Sequence, residues 1–116
     1  MRFDAFSFGA LQIDDVVYDH DIVIDRGVIR KRKKKPSKKQ RAAYGHTPLS
    51  AAEAIPWHCR RLVVGTGADG RLPVTKGVRR GAARRKVDVL IVPTAQAIAA
   101  LAQDMDATNA ILHVTC

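Results

Sequence analysis

Only two cysteines, Cys59 and Cys116, occur in the 116 residues, and neither belongs to a CxxC pair. That scarcity excludes a disulfide scaffold, and a cytoplasmic protein is the default expectation. No apolar run approaches the ~18–20 residues a bilayer-crossing helix needs, so no membrane span is expected. The opening residues, Met1-Arg2-Phe3-Asp4-Ala5-Phe6, lack the charged-then-apolar order of a secretory leader. Aromatics are few, one Trp, two Tyr and three Phe, and a dominant base-stacking surface has little to build on. What is present is a 47% apolar content, enough for a core in one domain over residues 1–116.

Acidic residues are scarce beside basic ones, 11 against 20, and the resulting +9 is unevenly placed. Residues 1–25 carry six acids and one base, a net of −5. Residues 30–41 carry nine bases and no acid: Arg30, Lys31, Arg32, Lys33, Lys34, Lys35, Lys38, Lys39 and Arg41. Removing that stretch takes the net charge from +9 to 0. Three readings of it stand open: a solvated, self-repelling loop or strand extension; a polyanion-binding segment that neutralises phosphates; or a nuclear address or anionic-membrane patch. The run holds no aromatic, which disfavours stacking on single strands. A second basic group lies at Arg79, Arg80, Arg84, Arg85 and Lys86.

The first third reads as β structure. Leu11 to Tyr18 is expected as one strand, Ile22-Val23-Ile24 as a second, and Val28-Ile29 as the start of a third that Pro36-Ser37 must stop. Ser50-Ala51-Ala52-Glu53 has the form of a capping box opening a short helix, limited by Pro56. Arg61–Val64 is a strand, and Thr75 is placed to cap a helix reaching Arg85. Gly77 and Gly81 weaken that helix by about 1 kcal/mol each. Val87–Pro93 is a strand, Thr94 caps a helix to about Met105, and Ala110–Val114 is a closing strand. Alternating strands and helices in the second half predict a largely parallel sheet, with an antiparallel N-terminal portion added to it.

Gly65-Thr66-Gly67-Ala68-Asp69-Gly70 spells GxGxxG, but Arg71-Leu72-Pro73-Val74 separates it from the next helix. A pyrophosphate needs that helix N-terminus directly after the glycines, so a dinucleotide site is not expected. A tight strand exit remains, with a small anion on the Gly65–Gly67 amides as the alternative. His113 and Cys116, three apart, point to opposite faces of an extended strand, so no metal is expected. Thr66 and Thr94 follow parallel strands, and open α/β sheets place ligands outside those strand ends. With His46 and His113 they form a candidate cleft, against the simpler reading that both threonines cap or turn the chain.

The ordered elements Phe8-Gly9, Ile22-Val23-Ile24, Gly45-His46-Thr47, Leu62-Val63-Val64-Gly65-Thr66-Gly67, Thr94-Ala95-Gln96-Ala97-Ile98 and Leu112-His113-Val114-Thr115-Cys116 resemble the Mth-938-like family, domain of unknown function 498. The resemblance runs over essentially the whole chain. It implies a three-layer α/β domain with a central mixed sheet, a largely parallel C-terminal half and an extra N-terminal antiparallel β layer. It also implies kinship with an adipogenesis-associated animal protein and a mitochondrial complex I assembly factor, hence a non-catalytic binding or assembly role with a protein partner. The family has no established reaction, and no cofactor is implied. Its recurrent cleft positions fall on His46, Gly65, Gly67, Thr94 and His113, with Cys116 at the end. Leu101-Ala102 stands where relatives usually have Tyr-Asn, which would alter any polar site built on that Asn. A small-ligand or enzymatic cleft, and polyanion binding through 30–41, are the alternatives, in a monomer or a small homo-oligomer.

Overall fold

The computed structural model describes all of residues 1–116. Three short strands, β1 (Phe3–Ser7), β2 (Ala10–Ile13) and β3 (Val16–Tyr18), form an antiparallel sheet of their own. The single strand expected over Leu11–Tyr18 is broken because Asp14 and Asp15 take φ of 49° and 68°. Aspartate tolerates that left-handed turn better than most residues, and the chain reverses there. β1 has no counterpart among the strands expected from the sequence.

The main sheet takes β4 (Ile22–Asp25), β5 (Val28–Lys31), β6 (Arg61–Thr66), β7 (Asp88–Val92) and β8 (Thr108–His113) in the order β5-β4-β8-β6-β7. β6 runs parallel to both β7 and β8, while β4 runs antiparallel to β8 and β5. The expected mixed sheet with a parallel C-terminal half and an extra antiparallel layer is what the chain forms. Its strands alternate with period two. Ile22, Ile24, Val63, Ala110 and Leu112 face a core shared with β2 and with α3 (Thr94–Gln103). Val23, Leu62, Val64 and Ile111 face a second core completed by Leu49, Ile55 and α2 (Lys76–Arg85). The sheet therefore separates two layers, and which residues lie in which decides the electrostatics of each face.

Four local expectations need correction. β5 runs into the basic stretch through Lys31, as expected, but Pro36-Ser37 does not end regular structure there: the chain goes on into a 3-10 helix, Lys35–Gln40, and a single turn, α1 (Arg41–Tyr44). Pro36 sits in the first turn, where its missing N–H has no intrahelical partner to lose. Ser50–Glu53 forms a turn rather than a helix: the Ser50 hydroxyl accepts the Ala52 N–H at 3.3 Å, and Glu53 points inward. Neither Thr75 nor Thr94 caps by its side chain, since Thr75 makes no cap hydrogen bond and Pro93 occupies the cap of α3. α3 ends at Gln103 rather than Met105.

Candidate functional site

β4 lies between β5 and β8, with Ile22 opposite Lys31 on one side and Leu112 on the other. One residue beyond that register, Asp21 falls between Arg32 and His113. The Arg32 N–H donates to the Asp21 carbonyl at 2.9 Å, extending the ladder. The Asp21 carboxylate then gathers three donors: the Val114 N–H at 3.0 Å, Arg32 Nη1 at 2.8 Å and His113 Nδ1 at 2.8 Å. Burial alone would raise the Asp21 pKa. The His113, Val114 and Arg32 donors overcome it and hold the carboxyl at about 2.

Arg32 is the hub of the network. Its guanidinium side chain is 1% exposed and meets Glu53 in two parallel bonds, Nε–Oε1 and Nη2–Oε2, both 2.8 Å. Nη2 also donates to the Pro48 carbonyl at 3.0 Å. Burial works against the charge on Arg32, but Glu53 and Asp21 outweigh it and raise its pKa. Ser37 Oγ donates to Glu53 Oε2 at 2.6 Å, so the 2.6 Å contact between the Ser37 and Ser50 hydroxyls has Ser50 as donor. This is why the 3-10 helix docks where it does, and why Arg32 is withdrawn from the solvent-facing basic run.

The same geometry sets the tautomer of His113. Nδ1 faces the Asp21 carboxylate and carries a proton; in the neutral tautomer this leaves Nε2 as the acceptor 3.1 Å from Thr115 Oγ1. Chemically, a carboxylate–imidazole–hydroxyl chain can orient the ring and accept a proton at Nε2. It opens on a cleft of about 190 Å³ lined by Lys34, Arg41, His46 and Arg71, with His113, Thr115 and Cys116 among the rest. Lys34, Arg41 and Arg71 form no ion pair, in contrast to Arg32. No carboxylate side chain lines this cleft.

His46 and His113 are thus brought together, but Gly65, Thr66, Gly67 and Thr94 are not part of their cleft. Gly65 and Thr66 pair with Leu112 and His113 of β8, while Thr94 and Gly67 seat the strand's end and the tail beyond it. Thr94, fully buried, donates its hydroxyl to the His113 carbonyl at 2.7 Å and accepts the Gly67 N–H at 2.8 Å. The N–H groups of Ala68 and Arg71 go to the carbonyls of Thr115 and Cys116, at 2.7 and 2.9 Å. The Gly67 amide is thus taken by Thr94, and Gly65 and Thr66 lie within the β6–β8 ladder, so the amides considered for a small anion serve the chain itself. Gly67 has φ of +104°, and a Cβ there would overlap the Cys116 carbonyl carbon. A Cβ on Gly65 would sit 2.9 Å from Thr94 Oγ1.

A larger hollow of about 680 Å³ lies at the other end of β8, lined by Leu101, Ala102, Asn109 and others. Its buried polar side chain, Asn109, is committed to Arg26, Pro56 and His58 backbone groups. The Leu101-Ala102 departure falls here and leaves the His46–His113 cleft untouched. Of the basic stretch, Lys34 and Arg41 reach the cleft, and Lys31, Lys33, Lys35, Lys38 and Lys39 are exposed. Arg30 bonds the Ala54 carbonyl at 2.7 Å. Sequence reasoning missed Asp21, Glu53, Arg71 and Thr115. Asp21 before one strand and Arg32 after its hairpin partner signal a pair, but nothing local predicts that β8 brings His113 to the same carboxylate.

The architecture is that of a three-layer α/β protein whose strand-end crevice is filled by its own tail. No protein-family model matches the chain, and no curated protein does. Among solved structures it is similar to a conserved hypothetical protein from Pyrococcus horikoshii OT3, 29% identical, with a TM-score of 0.85 over 100% of both chains. MT938 is 24% identical with a TM-score of 0.71, covering 98% of this chain and 97% of that one. A Mth938-like domain protein from Bordetella pertussis is 20% identical with a TM-score of 0.60, covering 97% and 84%. The chain has the Mth938-like fold, as its ordered motifs implied.

Proposed function

We propose that this is a non-catalytic binding protein whose cleft between the basic segment and the end of β8 takes an anionic group, borne by a small ligand or by a partner in an assembly. One observation carries the reading. Lys34, Arg41 and Arg71, each without a carboxylate partner, face the same small cleft as His46 and His113. Cations left unpaired around a small concavity suit a compact anion such as phosphate. The kinship with assembly proteins that the motifs imply supports a binding role.

The test is thermal unfolding with inorganic phosphate. A ligand that binds only the folded state at about 100 times its Kd stabilises by about 2.7 kcal/mol, a rise of several degrees in Tm. The rise should disappear in an Arg71→Ala, Lys34→Ala double variant whose own Tm is unchanged. An equal rise in both proteins would contradict the reading.

A second reading, an enzymatic cleft, is favoured by the Asp21–His113–Thr115 chain, in which Nε2 would take the Thr115 proton. It ranks second because Asp21 also serves the Arg32 guanidinium at 2.8 Å, so its charge is already neutralised before any imidazolium forms. Hydrolysis of p-nitrophenyl esters that disappears in Thr115→Val would reverse the ranking.

A further inference from the structure

The sheet divides the molecule electrically as well as sterically. On one face lie β1–β3 and α3; residues 2–18, which span β1–β3, hold three acids, Asp4, Asp14 and Asp15, against one base, Arg2, a net of −2. On the other lie α2 and the basic segment, with the stretch 49–57 between them. The links are specific: Ser37 bonds Ser50 and Glu53, Arg30 bonds the Ala54 carbonyl, and Gly77 of α2 packs so that a Cβ would meet Ala51 at 3.3 Å. The intervening strip has one acid, Glu53, and it is buried against Arg32.

α2 and the residue after it hold six bases and no acid: Lys76, Arg79, Arg80, Arg84, Arg85 and Lys86. All six are exposed, and none is in an ion pair. Val78, Gly81 and Ala82 anchor the helix to the core and leave its cationic side outward. Eight cations of the basic segment besides buried Arg32 lie along the other edge of the strip. The two groups that look separate in the sequence therefore belong to one layer of a molecule 36 × 30 × 20 Å in extent.

We infer that this composite face, α2 together with the basic segment, binds the phosphate backbone of double-stranded nucleic acid. The complementarity is one of charge density: a duplex presents one negative charge per about 1.7 Å of axis, and a broad field of unpaired Lys and Arg releases its counterions. The face offers little platform for unpaired bases: Tyr44, which closes α1, is its one exposed ring. Trp57, the one aromatic beside α2, is covered by the Arg85 guanidinium 4.8 Å from its ring centre. The far layer, with a net of −2, offers such a polyanion no comparable field, and the asymmetry orients approach. The inference goes beyond the cleft and stands without it.

The experiment is fluorescence-anisotropy binding of a mixed-sequence DNA duplex over a salt series. Two triple variants, each checked for unchanged circular dichroism and Tm, are compared: Arg79→Ala/Arg80→Ala/Arg84→Ala and Lys33→Ala/Lys38→Ala/Lys39→Ala. Wild-type affinity should fall by about a thousandfold between roughly 50 and 200 mM salt, as expected when about six phosphates are neutralised. Each triple should lower both the affinity and the magnitude of the log–log slope, by about 0.9 for each phosphate it no longer neutralises. Arg71→Ala with His46→Ala, neither residue in α2 or the basic segment, should still bind the duplex, so failure of the cleft and failure of this face are distinguishable. An α2 triple that binds like wild type overturns the composite face. Tighter binding of single strands, or binding of anionic vesicles without binding of duplex, overturns the choice of partner.

Discussion

Asp21 shows how one side chain can be fixed by three parts of the chain distant in sequence. The register of β4 supplies its position, and Arg32, His113 and Val114 supply its donors. A carboxyl whose folded pKa is depressed contributes stability above its unfolded pKa, and that stability is lost as pH falls through the folded value. For Asp21 the window runs from about 4 down to about 2, and the contribution is about 2 kcal/mol. Urea unfolding across that window should show Asp21→Asn less stable than wild type at pH 5, with the gap closing toward pH 2. Parallel curves for the two proteins would show that the carboxylate is not held as described. In the sequence, Asp21 is one acid among six near the N-terminus. Its role depends on a hydrogen bond with His113 spanning 92 residues, which no local pattern encodes.

At the scale of elements, local propensity and packing disagree at α2. Gly77 and Gly81 weaken the helix by propensity, and the structure gives the compensation: both let the helix come close to its neighbours. A Cβ on Gly81 would lie 2.9 Å from Trp57 Cζ2, while one on Gly77 would meet the Ala51 methyl at 3.3 Å and Thr75 Oγ1 at an ordinary 3.7 Å. Gly81→Ala should therefore lower Tm by forcing Trp57 and the Arg85 stacked on it to shift. Gly77→Ala should be near neutral, the helix gain of up to about 1 kcal/mol offsetting the tight approach. Thermal unfolding of the two variants checks the order, and a Gly81→Ala protein as stable as Gly77→Ala would contradict it. The strands and helices of the second half were legible because their apolar runs are long and bounded by Gly, Pro or Thr. The Ser50–Glu53 capping box misled because Glu53 satisfies buried Arg32 instead, a demand created by tertiary packing. Thr94 misled in the same way, its hydroxyl drawn from the helix start to the His113 carbonyl and the Gly67 N–H.

For the whole molecule, the layered α/β architecture was readable from the order of elements and motifs, while the site was readable only in half. His46 and His113 line one cleft, whereas Gly65, Thr66, Gly67 and Thr94 lie at the strand end that carries the tail. The strand-end crevice that such sheets offer to ligands is already occupied by residues 114–116. What is left open is the neighbouring cleft, walled by cations that the basic segment delivers from a distant part of the chain. The net +9 thus resolves into a buried ion-pair hub at Arg32, a cleft lined by Lys34, Arg41 and Arg71, and the exposed bases of α2 and the basic segment. The most direct measurement is an NMR titration with inorganic phosphate, following the imidazole signals of His46 and His113 and the backbone N–H groups of Arg71, Thr66 and Thr94. The cleft reading predicts that His46, His113 and Arg71 shift together and saturate with one common Kd, while Thr66 and Thr94 stay in place. Unshifted histidines, or non-saturating changes spread along α2, would contradict it.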